Sequence, residues 1–235
     1  MSADDGVFLP RTLWLNGRSH AYRLYLPPSY DASRRWPLIL FLHGSGERGS
    51  NGVKPTTVGL GPALGRFPGR YPALALFPQI PENGNWQGAG GDLAVATLDA
   101  AAQELPIDPD RIYVAGISLG GNGAWHLLSR HAERFAAAVV VCGFVAGRPS
   151  APALFPEGSD PYAALAERIR CLPTWIVHGE EDPVVPVSES RKMARALEDV
   201  GGEVSYRELP GVGHDCWEAA FADPELPRWL FARHR

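Results

Sequence analysis

The sequence predicts an α/β protein whose sheet has about eight mostly parallel strands, with helices on both faces. Segments that are apolar at almost every position recur along the chain, as strands do when both faces of a parallel sheet are covered. Segments with helical periodicity lie between them. Strands that alternate with helices in this way form parallel sheets, and this alternation therefore sets the predicted fold class.

The chain begins with two short extended segments, Thr12–Leu15 and Tyr22–Leu26. The Asn16-Gly17 pair between them is typical of a tight hairpin turn. We therefore expect an antiparallel edge ahead of the parallel strands. The first buried strand is Pro37–Leu42, which is apolar at every position. Further strands are predicted at Ala73–Phe77, Arg111–Ala115, Ala136–Val141, Pro173–Val177 and Val204–Leu209.

Helices are predicted between these strands, at Leu93–Leu105, Leu119–Arg130, Tyr162–Ile169 and Ser188–Val200. Pro106 ends the first helix, and Gly201-Gly202 ends the last. Gly143–Cys171 contains only one short helical piece, so we expect a minimal lid and no separate cap domain. Residues 1–235 are predicted to form one α/β domain, which is within the usual size of such units.

Composition excludes several classes of function. The formal net charge is −4 and the pI is about 6.0, with no basic block, so we expect no nucleic-acid or anionic-membrane partner. No apolar run approaches the roughly 18 residues that span a bilayer. Met1–Gly6 is acidic and polar and does not look like a signal peptide, although a chain trimmed of its leader would look the same. A cytoplasmic location is therefore predicted.

The three cysteines, Cys142, Cys171 and Cys216, are far apart in the sequence and form no CxxC pair. This spacing argues against a disulfide framework and against a zinc site. A reducing compartment is the simplest interpretation.

The strongest chemical signal is Gly116-Ile117-Ser118-Leu119-Gly120, which follows a predicted strand and opens a predicted helix. Glycines two residues before and after a serine allow the sharp turn that exposes a nucleophilic hydroxyl. The alternative is a glycine-rich turn whose serine only caps the helix. We interpret Ser118 as the nucleophile.

A serine hydroxyl needs a base to become a nucleophile, and the base needs an acid that orients it. In proteins that carry the nucleophile on a strand-to-helix turn of this kind, the acid comes before the base in the chain. The loop after the strand Trp175–Val177 offers Glu180, Glu181 and Asp182. We select Asp182 from its distance past the strand end, with Glu181 as the alternative.

His214 is predicted to be the base because it lies in a glycine loop after the last predicted strand. His43 precedes Ser118 and so breaks the expected order. His178 flanks Asp182 and is interpreted as a residue that shapes the loop through hydrogen bonds. The remaining histidines are interpreted as surface or packed side chains.

An oxyanion hole requires two backbone N–H groups that face the developing negative charge. The residue after the nucleophile, Leu119, supplies one. The loop His43–Gly49 supplies the other, for which we select Ser45, with Gly46 as the alternative.

Three aromatic residues near predicted strand ends or the base are candidate substrate contacts, and ordinary packing is the alternative for each. They are Trp86, Phe144 and Trp217.

Leu42–Gly49, Gly116–Trp125 and His214–Trp217 together resemble small bacterial carboxylesterases of the α/β-hydrolase superfamily, in the group that includes predicted peptidases, dienelactone hydrolases and feruloyl esterases. The resemblance covers nearly the whole chain. It implies a Ser118–Asp182–His214 triad, an oxyanion hole after His43-Gly44, and neither a metal nor an organic cofactor. Dienelactone hydrolases proper carry a cysteine in place of Ser118, so their lactone chemistry is not implied.

The function predicted from these residues is hydrolysis of short-chain or aryl esters, with a small-molecule ester as the partner. Hydrolysis of amides or peptides, or acyl transfer, by the same triad is the alternative within catalysis. A non-catalytic binding protein is the alternative outside it, since a fold alone does not imply a function. The oligomeric state is not predicted.

Overall fold

The fold is an eight-stranded sheet, seen in a computed structural model that describes residues 6–156 and 158–235. Its strands are β1 (Val7–Leu15), β2 (Arg18–Leu26), β3 (Trp36–Leu42), β4 (Leu74–Pro78), β5 (Ile107–Ile117), β6 (Ala137–Val141), β7 (Thr174–Gly179) and β8 (Val204–Leu209). They lie in the order β1-β2-β4-β3-β5-β6-β7-β8. Strands β3 to β8 are parallel, and β1 and β2 are antiparallel. The predicted fold class is confirmed.

Helices cover both faces of the sheet. They are α1 (Leu60–Arg66), α2 (Ala89–Glu104), α3 (Leu119–His131), α4 (Pro161–Ile169), α5 (Ser188–Asp199), α6 (Trp217–Ala222) and α7 (Glu225–Phe231). One hydrophobic core packs α2 to α5 on one face, and a second packs α1, α6 and α7 on the other. No helix in the described part of the chain is long and apolar enough to cross a membrane.

The first hairpin forms where the Asn-Gly pair predicts it. Asn16 and Gly17 have φ of 51° and 73°, the left-handed conformations that a two-residue hairpin turn requires. β1 and β2 pair in continuous antiparallel register from Val7 opposite Leu26 to Leu15 opposite Arg18. The pairing of β2 with β4 then attaches the hairpin to the parallel strands.

β3 shows why the buried strands are apolar at every position. Leu38 and Leu40 belong to the core under α2 to α5, whereas Ile39 and Phe41 belong to the core under α1, α6 and α7. These four side chains are at most 1% exposed. Because successive side chains of a strand point to opposite faces, both faces of this strand need apolar residues.

Several element boundaries differ from the prediction. α2 begins at Ala89, four residues before the predicted Leu93, and the two glycines of its first turn conceal this start. A β-carbon at Gly90 would lie 1.9 Å from the Asn85 carbonyl oxygen, so this turn packs too closely for a side chain. α1, α6 and α7 were not predicted, because helices of only six or seven residues carry little periodic signal.

The segment 143–171 holds the predicted short helix, α4. Asp160 Oδ1 accepts hydrogen bonds from the backbone N–H groups of Tyr162 and Ala163, and Pro161 occupies the first turn, so the sequence fixes where this helix starts. Ahead of it, Arg148 and Ala151 form an isolated bridge. Glu157, within this segment, and the N-terminal Met1–Asp5 lie outside the described residues.

Candidate active site

The site is centred on a sharp turn between β5 and α3. Ser118 has φ 51° and ψ −116°, a strained conformation for a residue with a side chain. A β-carbon at Gly116 would lie 2.1 Å from the Gly120 carbonyl oxygen, and one at Gly120 would lie 1.9 Å from the Leu42 carbonyl oxygen. Both positions therefore need glycine if the turn is to pack against the end of β3.

The structure brings the three predicted catalytic side chains together. The Ser118 hydroxyl lies 2.9 Å from His214 Nε2, and His214 Nδ1 lies 2.6 Å from Asp182 Oδ2. Because an ionised carboxylate only accepts hydrogen bonds, His214 Nδ1 carries the proton and Nε2 is free to accept one from the serine. Nucleophile, base and acid thus have the geometry of a catalytic triad.

Both carboxylate oxygens of Asp182 accept hydrogen bonds, which fix its side chain. Its Oδ1 accepts from the backbone N–H groups of Val184 and Val185, at 2.8 and 2.9 Å. Burial favours the neutral acid and on its own would raise the pKa of Asp182. Hydrogen bonds from His178, His214 and the two amides outweigh burial and hold this pKa well below its ordinary value. The acid therefore stays ionised beside the base at neutral pH.

The structure distinguishes Asp182 from its two acidic neighbours. The Glu180 carboxylate accepts a hydrogen bond from the Gly211 N–H at 3.1 Å, on the exposed side of the loop. Glu181 is exposed, and its backbone N–H bonds to the Val212 carbonyl. Neither carboxylate hydrogen-bonds His214 in the part of the chain that the structure describes.

The loop that carries His214 lies tightly against the end of β7. A β-carbon at Gly179 would lie 2.1 Å from the Gly213 carbonyl oxygen, so a glycine here lets the two backbones approach. Trp217 packs edge-on against the His214 ring, with centroids 5.5 Å apart and an angle of 87°. The His214 side chain is 18% exposed, which leaves a route for substrate and water.

His43 orients the loop that is predicted to supply an oxyanion donor. Its Nε2 accepts from the Ile80 N–H at 3.2 Å, so the ring proton lies on Nδ1 and is donated to the Gly44 carbonyl at 2.6 Å. Burial is the largest cause that lowers the pKa of His43, to about 4, so the ring is neutral at pH 7. Because C=O and N–H point in opposite directions in a trans peptide, this bond directs the Ser45 N–H away from the ring.

The two predicted oxyanion donors are backbone N–H groups beside the nucleophile. Within residues 6–156 and 158–235, neither the Ser45 N–H nor the Leu119 N–H donates a hydrogen bond to the protein. A β-carbon built at Gly44 would lie 3.6 Å from Ser118 Cβ, so the peptide before Ser45 passes beside the nucleophile. The assignment of Ser45, with Gly46 as the alternative, stays a prediction.

Two of the three predicted substrate contacts are buried side chains that pack against the protein. Trp86 is 0% exposed, and its Nε1 donates to the His43 carbonyl at 2.9 Å, so it supports the start of the loop that carries Ser45. Phe144 is 2% exposed and is covered by the Arg148 guanidinium, whose carbon lies 5.5 Å from the ring centroid. Both side chains follow strand ends, as predicted, but they point into the core. Trp217 is half-buried beside His214 and remains a candidate contact.

Buried amide side chains support the site and were not predicted. Gln79 Oε1 accepts from the Gly52 N–H at 2.6 Å, and Gln79 Nε2 donates to the Glu47 carbonyl at 2.8 Å. Asn122, in the first turn of α3, donates to the Phe144 carbonyl at 3.0 Å. Both amides tie together loops at the carboxyl edge of the sheet. A polar residue within an apolar run is the signal that marks Gln79, but one sequence does not reveal its partners.

One group of side chains has spacing suited to a metal ion. Ligand atoms of Cys142, Asp182 and His214 lie within 4.8 Å of one another. Asp182 and His214 are already bonded to each other, so their closeness is accounted for by the triad. Burial raises the pKa of the Cys142 thiol well above its ordinary value, which disfavours the thiolate that metals bind. These residues do not fit a metal centre.

Comparison with known proteins identifies relatives among esterases. "Putative esterase NocK" of Nocardia uniformis subsp. tsuyamanensis is 30% identical over 190 residues, which cover 77% of this chain and 51% of that protein. "Probable feruloyl esterase C" of Aspergillus terreus is 30% identical over 186 residues, which cover 77% of this chain and 60% of that protein. The chain thus spans about half to three fifths of the length of these two relatives.

The fold is matched by a solved structure, and the sequence by a family model. The crystal structure of a thermostable esterase superposes with a TM-score of 0.84 at 30% identity, covering 97% of this chain and 63% of that chain. The model of the Phospholipase/Carboxylesterase family matches residues 93–224. This match covers more than half of the sequence and includes Ser118, Asp182 and His214. The chain therefore belongs to the phospholipase/carboxylesterase family of α/β-hydrolases.

Proposed function

We propose that the protein hydrolyses carboxylic esters through a covalent acyl-enzyme on Ser118. The observation that carries this proposal is the hydrogen-bonded series from Ser118 through His214 to Asp182, built on a strained turn that holds the serine at the edge of the sheet. A serine in such a series is activated as a nucleophile. The esterase names of the relatives support the same reaction class.

The proposed reaction has two acyl-transfer steps. The Ser118 oxygen attacks the ester carbonyl carbon as His214 Nε2 takes the hydroxyl proton, and the carbonyl oxygen becomes anionic. The tetrahedral intermediate then expels the alcohol, which receives the proton from His214. Water attacks the acyl-enzyme in the same manner, and the acid leaves. Asp182 keeps the imidazole in the required tautomer and stabilises its cation in both steps.

The anionic oxygen is proposed to bind the N–H groups of Ser45 and Leu119. Leu119 is the first residue of α3, so its amide also lies at the positive end of that helix. The bond from His43 to the Gly44 carbonyl holds the other donor in place before the reaction begins. Loss of one such donor typically slows acyl transfer by about 100- to 1,000-fold.

Short-chain or aryl esters are the proposed substrate class. In the described part of segment 143–171, α4 is the only helix, which leaves little structure to enclose a long acyl chain. Trp217 offers an aromatic surface next to the base. The feruloyl esterase name of the Aspergillus terreus relative supports inclusion of aryl acids.

The test is an assay on p-nitrophenyl esters from acetate to laurate, with methyl ferulate alongside. We expect rates that fall with acyl length and vanish in Ser118→Ala. Ser129→Ala is the matched control, since Ser129 lies on the same helix and its hydroxyl donates to the His126 carbonyl, at 2.8 Å, away from His214 and Asp182. Turnover of methyl ferulate places aryl acids within the substrate range. Absence of ester turnover by folded wild-type protein, or faster cleavage of matched amides, contradicts the proposal.

A further inference from the structure

A second buried histidine contacts the acid of the triad. His178 Nε2 lies 3.1 Å from Asp182 Oδ2, the same oxygen that His214 contacts, and 2.9 Å from the Val185 carbonyl oxygen. On the other side of the ring, His178 Nδ1 lies 2.7 Å from the Ser190 hydroxyl. His178 is 0% exposed and Ser190 is 3% exposed.

The partners of His178 determine where its ring proton lies. The Val185 carbonyl can only accept a hydrogen bond, so Nε2 carries a proton and shares it between that carbonyl and Asp182 Oδ2. In the neutral ring, Nδ1 then accepts from the Ser190 hydroxyl. The ring is thus held from both sides, by Asp182 and Val185 of the loop that follows β7 and by Ser190 in the first turn of α5.

We propose that His178 and Ser190 are positioning residues for the triad: Ser190 holds the His178 ring, and His178 holds Asp182 Oδ2 in line with His214 and takes up part of its negative charge. This proposal rests on the proposed ester hydrolysis. The resulting series runs Ser190–His178–Asp182–His214–Ser118, with Asp182 accepting four hydrogen bonds. Neither His178 nor Ser190 contacts the site of attack.

This arrangement affects how strongly Asp182 attracts the proton on His214. A carboxylate oxygen that accepts from two rings offers less charge to each. Without His178, more of the charge on Oδ2 acts on His214, which favours the imidazolium in the resting enzyme and leaves less free base. Without His178, the side chain of Asp182 also loses one of its restraints, so the base is less well aligned for attack.

Glu208 and Arg191 are the charged neighbours of His178 on β8 and α5 in the described part of the chain, and they keep their charge over the relevant pH range. Glu208 of β8 is paired with His178 in the sheet register, and the Arg191 guanidinium of α5 bonds to the Glu208 carboxylate. The bonds from Arg191 and Tyr206 lower the pKa of Glu208 to about 2, so it stays ionised from pH 5 to 8. A change in the acidic limb of the pH profile between pH 5 and 8 therefore does not come from Glu208.

The test compares His178→Phe, which keeps a ring and removes both hydrogen bonds, with His178→Gln, whose amide N–H can replace the Nε2 donor. In His178→Phe we expect kcat to fall about 10- to 100-fold with KM unchanged, by analogy with other residues that orient catalytic groups. We also expect the acidic limb of kcat/KM to move up by about half a pH unit. His178→Gln is expected to recover most of both effects.

Ser190→Ala supplies a second test that removes only a hydroxyl. We expect a loss of a few-fold in wild type and no further loss in the His178→Phe background, because the two residues act in series. Labelling of Ser118 with a fluorophosphonate to completion counts the folded active sites, and each rate is then expressed per labelled site. Normal rates and an unmoved pH limb in His178→Phe, or equal losses in Phe and Gln variants, would overturn the proposal. If wild type itself cleaves no ester, the proposed function fails instead.

Discussion

His43 Nδ1 lies 2.6 Å from the carbonyl oxygen of Gly44, so a buried ring holds the peptide that leads into Ser45. The same ring accepts from the Ile80 N–H, and its backbone carbonyl accepts from Trp86 Nε1. A residue outside the triad thereby connects the core with the backbone beside the nucleophile. This connection fixes the orientation of the loop that carries the proposed oxyanion donor, Ser45, before substrate arrives.

Replacement of His43 by Phe tests that connection. The variant keeps a buried ring but cannot hold the Gly44 carbonyl, so the Ser45 donor is less well aligned with the oxyanion. We expect kcat to fall about 10- to 100-fold with little change in KM, as for partial loss of one oxyanion donor. His234→Phe, at an exposed site, is the control. If His43→Phe keeps more than half of the wild-type kcat, this role is wrong.

His43 also makes the fold sensitive to mild acid. Its pKa is about 4 in the folded protein, below the ordinary value of 6.5, because burial disfavours the cation. Between these two values the unfolded chain binds more protons than the folded chain, so the free energy of unfolding decreases as pH falls from about 6.5 to 4. We expect a smaller decrease over this window in His43→Gln, measured by urea unfolding. An identical decrease in both proteins would contradict this account.

Asp182 also makes the stability of the fold depend on pH, but at lower pH than His43 and through a negative instead of a positive charge. Its pKa in the folded state lies well below the ordinary value of 3.8, so its ionised form stabilises the fold above about pH 4, and that contribution is lost as pH falls further. In Asp182→Asn we expect kcat to fall on the order of 10⁴-fold, since the amide favours the wrong histidine tautomer. The variant is also expected to lose less stability than wild type below pH 4.

Glu180→Gln is the matched control for Asp182→Asn, because it changes an acid of the same loop whose carboxylate accepts from the Gly211 N–H and not from His214 in the described part of the chain. We expect it to stay within a factor of two of the wild-type rate, measured on the same ester. Equal effects of the two substitutions on kcat would show that Asp182 is not the orienting acid.

The turn between β5 and α3, which carries Ser118, has no room for a side chain at Gly120. A β-carbon there would lie 1.9 Å from the Leu42 carbonyl oxygen, so Gly120→Ala forces α3 away from β3. We expect a loss of on the order of 3 kcal/mol of folding free energy, seen as a lower melting temperature. Gly65→Ala is the control, since nothing lies within 4 Å of its added methyl group, and it is expected to be neutral or stabilising. Similar stabilities for the two variants would contradict the close packing.

The main features of the fold could be predicted because each has a local cause. The Asn16-Gly17 turn, the apolar β3 and the glycines around Ser118 all depend on neighbours in the sequence. The closeness of Ser118, Asp182 and His214 followed from the rule that parallel strands end at one edge, whereas the order of the strands in the sheet was not predicted. The short helices α1, α6 and α7 were missed because their stability depends on packing against the sheet more than on a periodic pattern.

Side-chain direction is the part that could not be predicted. Trp86 and Phe144 follow strand ends, where they were expected to face the substrate, yet tertiary packing turns both into the core. The hydrogen-bond partners of Gln79 lie 27 and 32 residues away along the chain, and those of Asn122 lie 22 and 35 residues away, so no local pattern indicates such pairs. Loop-shaping hydrogen bonds were predicted for His178 from its place beside Asp182, but its link to Ser190 was not.

If Ser118 carries the acyl group during turnover, the acylated serine can be trapped. Protein mixed with p-nitrophenyl acetate is quenched in acid within the first turnover, digested and analysed by mass spectrometry. We expect an acetyl group on the peptide that contains Ser118, together with a burst of p-nitrophenol, and neither in Ser118→Ala. Steady hydrolysis without any acylated Ser118, or an acetyl group on Ser118→Ala at the wild-type rate, would contradict it.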